Sequence, residues 1–290
     1  GRQTGNTETG NRTMPNNETN LIENLTFGIE IETTLASQSR TQIGSYYHPV
    51  QVAWLPEGWK VGRDCSIRTG RGRKDAEFVS PVLKGVAGLK QVLEVVKLLD
   101  QKGARVNPSC GLHIHVGFDK QNEVELKKLT SLVANFEKAI YAQTGTNRRE
   151  NGQWCRSVQR HGDVNAARSH QRRDRYNLLN TQSRCPTIEF RAFAATLNAT
   201  KIVGHILCCL GLVEKSLEAK RTAKFTAKQA DRKVERTPGV AAVSRLFYAL
   251  GWTKGREKKT FGDLFEGISI TKKAVKKELM RLAKKYDSLS

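Results

Sequence analysis

Four short segments alternate apolar with ionisable residues, and this alternation constrains the fold more than any other feature of the chain. Phe27-Gly28-Ile29-Glu30-Ile31-Glu32 puts Phe27, Ile29 and Ile31 on one face of a strand and Glu30 and Glu32 on the other. Asp75-Ala76-Glu77-Phe78-Val79 carries the Glu77 carboxylate in a similar setting, and Leu112-His113-Ile114-His115-Val116 alternates imidazoles with aliphatics. Thr187-Ile188-Glu189-Phe190-Arg191-Ala192-Phe193 does the same with a carboxylate and a guanidinium. Laid side by side, such strands predict a half-buried sheet, greasy behind and lined in front by Glu, His and Arg. Carboxylates crowded on one surface repel each other, and cations between them relieve the repulsion.

The rest of the chain supports one large domain, or a domain with an appendage. It has 290 residues, 38% of them hydrophobic. No apolar run approaches the roughly 20 residues that span a bilayer. The start is polar and lacks the apolar core of a signal peptide. These features predict a cytoplasmic protein without a membrane partner. The six cysteines form no CxxC pair, and Cys208-Cys209 falls in an apolar helical pattern, so they read as reduced and structural. The formal net charge of +21 points to an anionic partner such as nucleic acid or another polyanion, or simply to a solvated basic exterior.

Residues 1–23 are polar and predict a disordered tail. Residues 24–219 predict the main folded domain, and 220–290 a basic, mainly helical C-terminal region. Amphipathic helices are expected from about 86 to 102 (Val86, Leu89, Leu93, Val96, Leu99), over 122–143 (Leu126, Leu129, Val133, Phe136, Ile140), over 199–219 and over 271–286. Between them lie an irregular stretch at 34–59, a basic glycine-rich loop at 62–75 and a long arginine-rich segment at 147–175, of the length that is usually functional or mobile.

His113 and His115, flanked by Gly111 and Gly117, can both reach one site on a strand face. Zinc prefers nitrogen and sulfur ligands; the carboxylates here favour Mg²⁺ or Mn²⁺. Arg191 beside Glu189 is either a structural ion pair or a fork that clamps a phosphoryl group. Arg68, Arg71, Arg73 and Lys74, set among glycines without a Walker pattern, form either a solvated loop or a flap over phosphates. Metal ligands plus phosphate-clamping arginines describe phosphoryl-transfer chemistry.

Motif order then carries a resemblance. Phe27–Glu32, Asp64-Cys65-Ser66, Glu77-Phe78-Val79-Ser80-Pro81, Gly111–Gly117, Arg175-Tyr176-Asn177 and Thr187–Arg191 occur in the order found in the amidoligases. These are carboxylate–amine ligases related to glutamine synthetase and γ-glutamylcysteine ligase. The likeness spans about residues 24–215. It implies an α+β fold, a glutamine-synthetase-like curved antiparallel sheet backed by helices, that binds ATP and two Mg²⁺ ions. Carried over, Glu30, Glu32, Glu77, His113 and Glu189 are metal ligands, with His113 and Glu189 on the same ion. His115, Arg191, Arg71, Arg73 and Lys74 face the nucleotide, and Arg191, Arg175 and Arg68 are catalytic arginines. Where glutamine synthetase has two glutamates this chain has Glu77, with Asp64 or water in the other place. The implied reaction phosphorylates a carboxylate with ATP, and an amine then displaces phosphate to leave an amide. Two other functions fit the residues less fully: a nucleic-acid-binding protein on a ligase-like scaffold, and a metal-dependent hydrolase.

Overall fold

The computed structural model describes residues 24–150, 152–225, 237–254 and 263–289. The expected tail at 1–23 and most of the basic run at 220–237 lie outside the described residues. Seven strands form one sheet: β1 (Thr26–Ala36), β2 (Lys60–Gly62), β3 (Arg73–Val79), β4 (Leu83–Lys84), β5 (Gly111–Gly117), β6 (Leu179–Asn180) and β7 (Thr187–Ala194). They run in the order β2-β3-β1-β5-β7-β6, with β4 added at the start of β1, and every pairing is antiparallel. The fold is mixed α/β, as the alternating segments predict.

The back of the sheet carries the apolar half of each strand. Phe27, Ile29, Ile31, Phe78, Ile114 and Phe190 are buried in one core with Leu89, Val92 and Val96 of α1 (Gly85–Gln101), Leu129 and Val133 of α2 (Glu123–Ala142) and Ile202 and Ile206 of α4 (Ala199–Glu218). Asn122 and Asn198 start α2 and α4 by accepting from the Glu125 and Lys201 backbone N–H groups. Gly103, at φ +68°, ends α1 where a side chain would be strained.

Two expectations change on folding. The front of the sheet is not open: Ile31 to Leu35 and Ile188 to Phe193 are buried throughout. Two of the predicted loops cover it. The stretch 44–62 bridges onto β2 through Gly44–Gly62 and Val50–Val61, and Arg156 pairs with Asn177. The arginine-rich segment is also less irregular than its composition implies. It holds α3 (Val164–Gln171), capped by Asp163, whose Oδ1 accepts from the Asn165 and Ala166 N–H groups.

The described C-terminal helices, α5 (Pro238–Ala249) and α6 (Lys272–Asp287), share the core. Helix α5 packs on α2, and α6 on α4 and α5. Gly204 on α4 makes the second contact close, because a Cβ there would lie 3.1 Å from a Leu279 methyl. All six cysteines are free thiols, and four are buried. No helix among the described residues is long and apolar enough to cross a membrane.

Candidate active site

Strand register gathers the ionisable residues. Glu30 stands opposite His113 across β1 and β5, and Glu32 opposite Glu77 across β1 and β3. Directly opposed residues of an antiparallel pair share a face, so Glu30, Glu32, Glu77 and His113 project together. On the far side of β5, His115 stands opposite Glu189.

A β-bulge completes the set. Leu112 pairs with Phe193 and Ile114 with Phe190, so Arg191 and Ala192 together oppose His113. The extra residue lets Phe190 and Phe193 both stay buried while Glu189 and Arg191 both line the front cleft. It also leaves strand carbonyls unpaired, and Arg149 takes them: its Nη2 donates to the Arg191 carbonyl at 2.6 Å and its Nε to that of Ala192 at 3.1 Å. The Arg191 side chain is held from the same covering segment, its Nε donating to the Trp154 carbonyl at 3.1 Å.

The cluster centres on His113. Its Nδ1 lies 3.0 Å from Glu30 Oε2 and 3.4 Å from Glu189 Oε1, and its Nε2 lies 3.5 Å from Glu32 Oε1. Two groups of possible metal ligands follow, Glu30–His113–Glu189 and Glu32–Glu77–His113, each with ligand atoms within 4.8 Å of one another. Glu189 is further fixed by Arg191 Nη1 at 2.5 Å and Asn180 Nδ2 at 2.6 Å, and Glu32 by the Gly111 N–H at 2.6 Å. Gly111 makes room there: a Cβ would lie 3.0 Å from His113 Nε2 and 3.2 Å from Arg149 Nη2, and these side chains would have to shift.

Burial and neighbouring charge divide the carboxylates. Burial pushes Glu30 up, but the hydrogen bond with His113 and the close His115 imidazole outweigh it and hold this carboxyl well below the ordinary value of 4.5. Glu189 is also lowered, burial being overcome by His113 and Arg191. Glu77 moves well above the ordinary value, through burial and then through Glu30, Asp64, Glu32 and Glu189. That carboxyl sits among acids and is short of a cation. The His115 imidazole is raised, because Glu30 overcomes the effect of burial. Its Nδ1 is 3.1 Å from Thr187 Oγ1. Its buried Nε2 is 3.2 Å from Glu30 Oε1 but out of line for a hydrogen bond.

The cluster forms the floor of a cleft of about 350 Å³, whose walls include Tyr46, Tyr47, Asp64, Arg175, Arg184 and Cys185. A smaller hollow of about 200 Å³ shares Tyr46, Asp64, His113, Arg175 and Arg191 with it and adds Glu32, Arg149, Trp154 and Tyr176. Arg175 and Arg191 both lie over the Tyr176 ring, at 5.6 and 5.8 Å.

The cleft and the adjoining hollow thus bring together Glu30, Glu32, Glu77, His113, His115, Glu189, Arg175 and Arg191. The basic loop is not brought to them. Arg73 opens β3, and its guanidinium donates to the Thr34 and Gly103 carbonyls and to Thr34 Oγ1. Lys74 donates to the Ser39 and Thr41 carbonyls. Arg68 and Arg71 are exposed and line neither hollow. The expected phosphate flap is therefore corrected for Arg73 and Lys74, whose charges fasten β3 to neighbouring turns. Sequence reasoning missed Arg149, Asn180 and the aromatic rim of Tyr46, Tyr47 and Trp154. Arg149 is one arginine in a run of them, and nothing in its spacing marks it.

Residues 23–163 match the family model described as "Putative amidoligase enzyme". This segment belongs to the amidoligase family. It contains Glu30, Glu32, Glu77, His113 and His115, while Arg175, Glu189 and Arg191 follow it in the chain. No curated protein sequence matches the chain. Among solved structures, a bifunctional glutathione synthetase from Pasteurella multocida is similar at 10% identity and a TM-score of 0.40, over 93% of this chain and 52% of that one. The chain spans about half the length of that protein.

Proposed function

We propose that this chain is an ATP-dependent carboxylate–amine ligase that uses Mg²⁺ or Mn²⁺ and forms an amide through an acyl phosphate. One observation carries the reading: a single buried imidazole, His113, stands between two carboxylate groups at the floor of a cleft that also holds Arg175 and Arg191. The donor set fits divalent metal. It is mostly carboxylate oxygen, which suits hard cations, and Glu77 has the raised proton affinity of a carboxylate awaiting positive charge. Glu30, His113 and Glu189 would hold one ion, and Glu32 and Glu77, with Asp64 nearby, a second. Bound there, the ions would neutralise phosphate charge and polarise the transferring phosphoryl group.

The chain's own residues supply the rest. Arg191, steered by Glu189 and the Trp154 carbonyl, presents a planar cation to the cleft. His115 offers its unaligned Nε2 to a phosphate oxygen from the same wall. Arg175 stands where both hollows meet and suits either a phosphate or the substrate carboxylate. On this reading the antiparallel sheet is of the glutamine-synthetase type. Calorimetric titration of Mg·ATP into the intact protein and into Glu189→Gln tests it. Binding that the substitution abolishes supports the reading, and no binding by the intact protein refutes it.

A further inference from the structure

A second surface lies on the helical layer behind the sheet, away from the cleft. Helix α6 carries seven cations, at 272, 273, 276, 277, 281, 284 and 285, against Glu278 and Asp287. Two shallow hollows meet along it, sharing Lys277 and Met280. The larger, about 640 Å³, is lined by Phe247, Met280 and four lysines, with no acid. In the smaller the acid is Glu278, and Arg281 already neutralises it through two hydrogen bonds of 2.8 Å.

The lysines are not equivalent. Lys276 is committed, its Nζ donating to the Trp252 carbonyl at 2.6 Å and lying over the Phe247 ring. Lys273 and Lys277 are exposed and one helical turn apart, at the edge of an apolar floor. Two point charges spaced this way complement two carboxylates one turn apart on a partner, with an apolar side chain between them. The details favour a polypeptide over a nucleic acid. Phe247 is only 4% exposed and lies beneath Lys276, so the ring that lines the groove is not open to base stacking. The cations that line the larger hollow are all lysines, which lack the forked geometry of arginine that matches phosphate bidentately.

We infer that the α5–α6 groove is a docking surface for an acidic polypeptide segment that places an aliphatic side chain between carboxylates. The groove is remote from the cleft, so this partner does not compete with nucleotide, and the inference holds or fails independently of the ligase reading. The test uses the full chain and a fluorescein-labelled helical peptide with Glu at i and i+4 and Leu between them, read by fluorescence anisotropy at low salt. Lys273→Glu/Lys277→Glu should weaken binding by about 10-fold or more. Both positions are exposed, and an unchanged melting temperature would show that the variant is folded. Replacing the peptide's Leu by Ser should also weaken binding, since the apolar floor would lose its occupant. Absence of peptide binding overturns the inference. So does equal binding of the Leu and Ser peptides, which would mean charge attraction alone. Tighter binding of a single-stranded oligonucleotide with the same lysine dependence overturns it in favour of a nucleic-acid surface.

Discussion

The charges borne midway along the strands and those of the 68–74 segment, which runs from a loop into the first residues of β3, look alike in the sequence and end in opposite situations. Glu30, Glu32, Glu77, His113, His115, Glu189 and Arg191 lie on β1, β3, β5 and β7, and all reach one cleft or the hollow adjoining it. Arg68 and Arg71 lie in the loop and Arg73 and Lys74 at the start of β3, opposite Ala36 and Leu35, yet none of the four reaches it. A strand fixes the direction of every second side chain, so alternation states which residues share a face. A glycine-rich loop fixes no such direction for Arg68 and Arg71. Position along the strand decides the rest: Arg73 has the parity of Glu77 but stands opposite Ala36, and its guanidinium goes to the Thr34 and Gly103 carbonyls.

Substitutions can break this contrast, and the largest effect is expected at Glu189. Glu189→Gln removes the charge shared by Arg191 and His113, and should weaken Mn²⁺ and Mg·ATP binding beyond the roughly 10–100-fold expected for an outer-shell change. Calorimetry that found unaltered affinity would dissolve the distinction between the charges that converge and those of the 68–74 segment. Arg149→Lys comes next. A lysine keeps the charge but cannot span the Arg191 and Ala192 carbonyls, so the bulge should loosen. Mn²⁺ affinity should drop about 10-fold, and amide exchange at residues 190–193 should quicken; unchanged exchange would remove Arg149 from the account.

A pH series sharpens the comparison within the cluster itself. Glu77 is raised, so the folded protein retains a proton that the unfolded chain gives up. In metal-free protein its contribution is therefore present below the ordinary value of 4.5 and fades as pH climbs toward the raised value. Glu30 is lowered, and its contribution is present above 4.5 and lost as pH falls. Melting temperatures across this range should show Glu77→Gln flattening the decline toward neutral pH, and Mn²⁺ opposing that decline in the unsubstituted protein by displacing the proton. If the two proteins have parallel profiles, Glu77 is not the group involved. The smallest effect on the site is expected from Arg73→Ala. Loss of its carbonyl hydrogen bonds should cost about 1–3 kcal/mol of stability in a denaturant titration, with no change in Mg·ATP affinity. A large loss of nucleotide affinity would restore the flap.

Much of this was legible in the order of residues. The alternating segments gave the strands and the shared face. The helical stripes gave α1, α2, α4 and α6 to within a residue or two, because amphipathic periodicity is a local property. Four things were not local. Which strands are neighbours, and hence that Glu30 faces His113, depends on pairing across more than 80 positions. The β7 bulge inverts part of the simple alternation, and only the opposing strand reveals it. Arg149 becomes distinct from its neighbouring arginines only when the bulge leaves carbonyls for it to hold. Burial of the front face depends on where two long segments come to rest. The sequence by itself determined which residues share a strand face and which helices could cover the back. Only the tertiary structure decided which charges converge, because a charge is placed by the backbone partners and neighbours that folding brings to it.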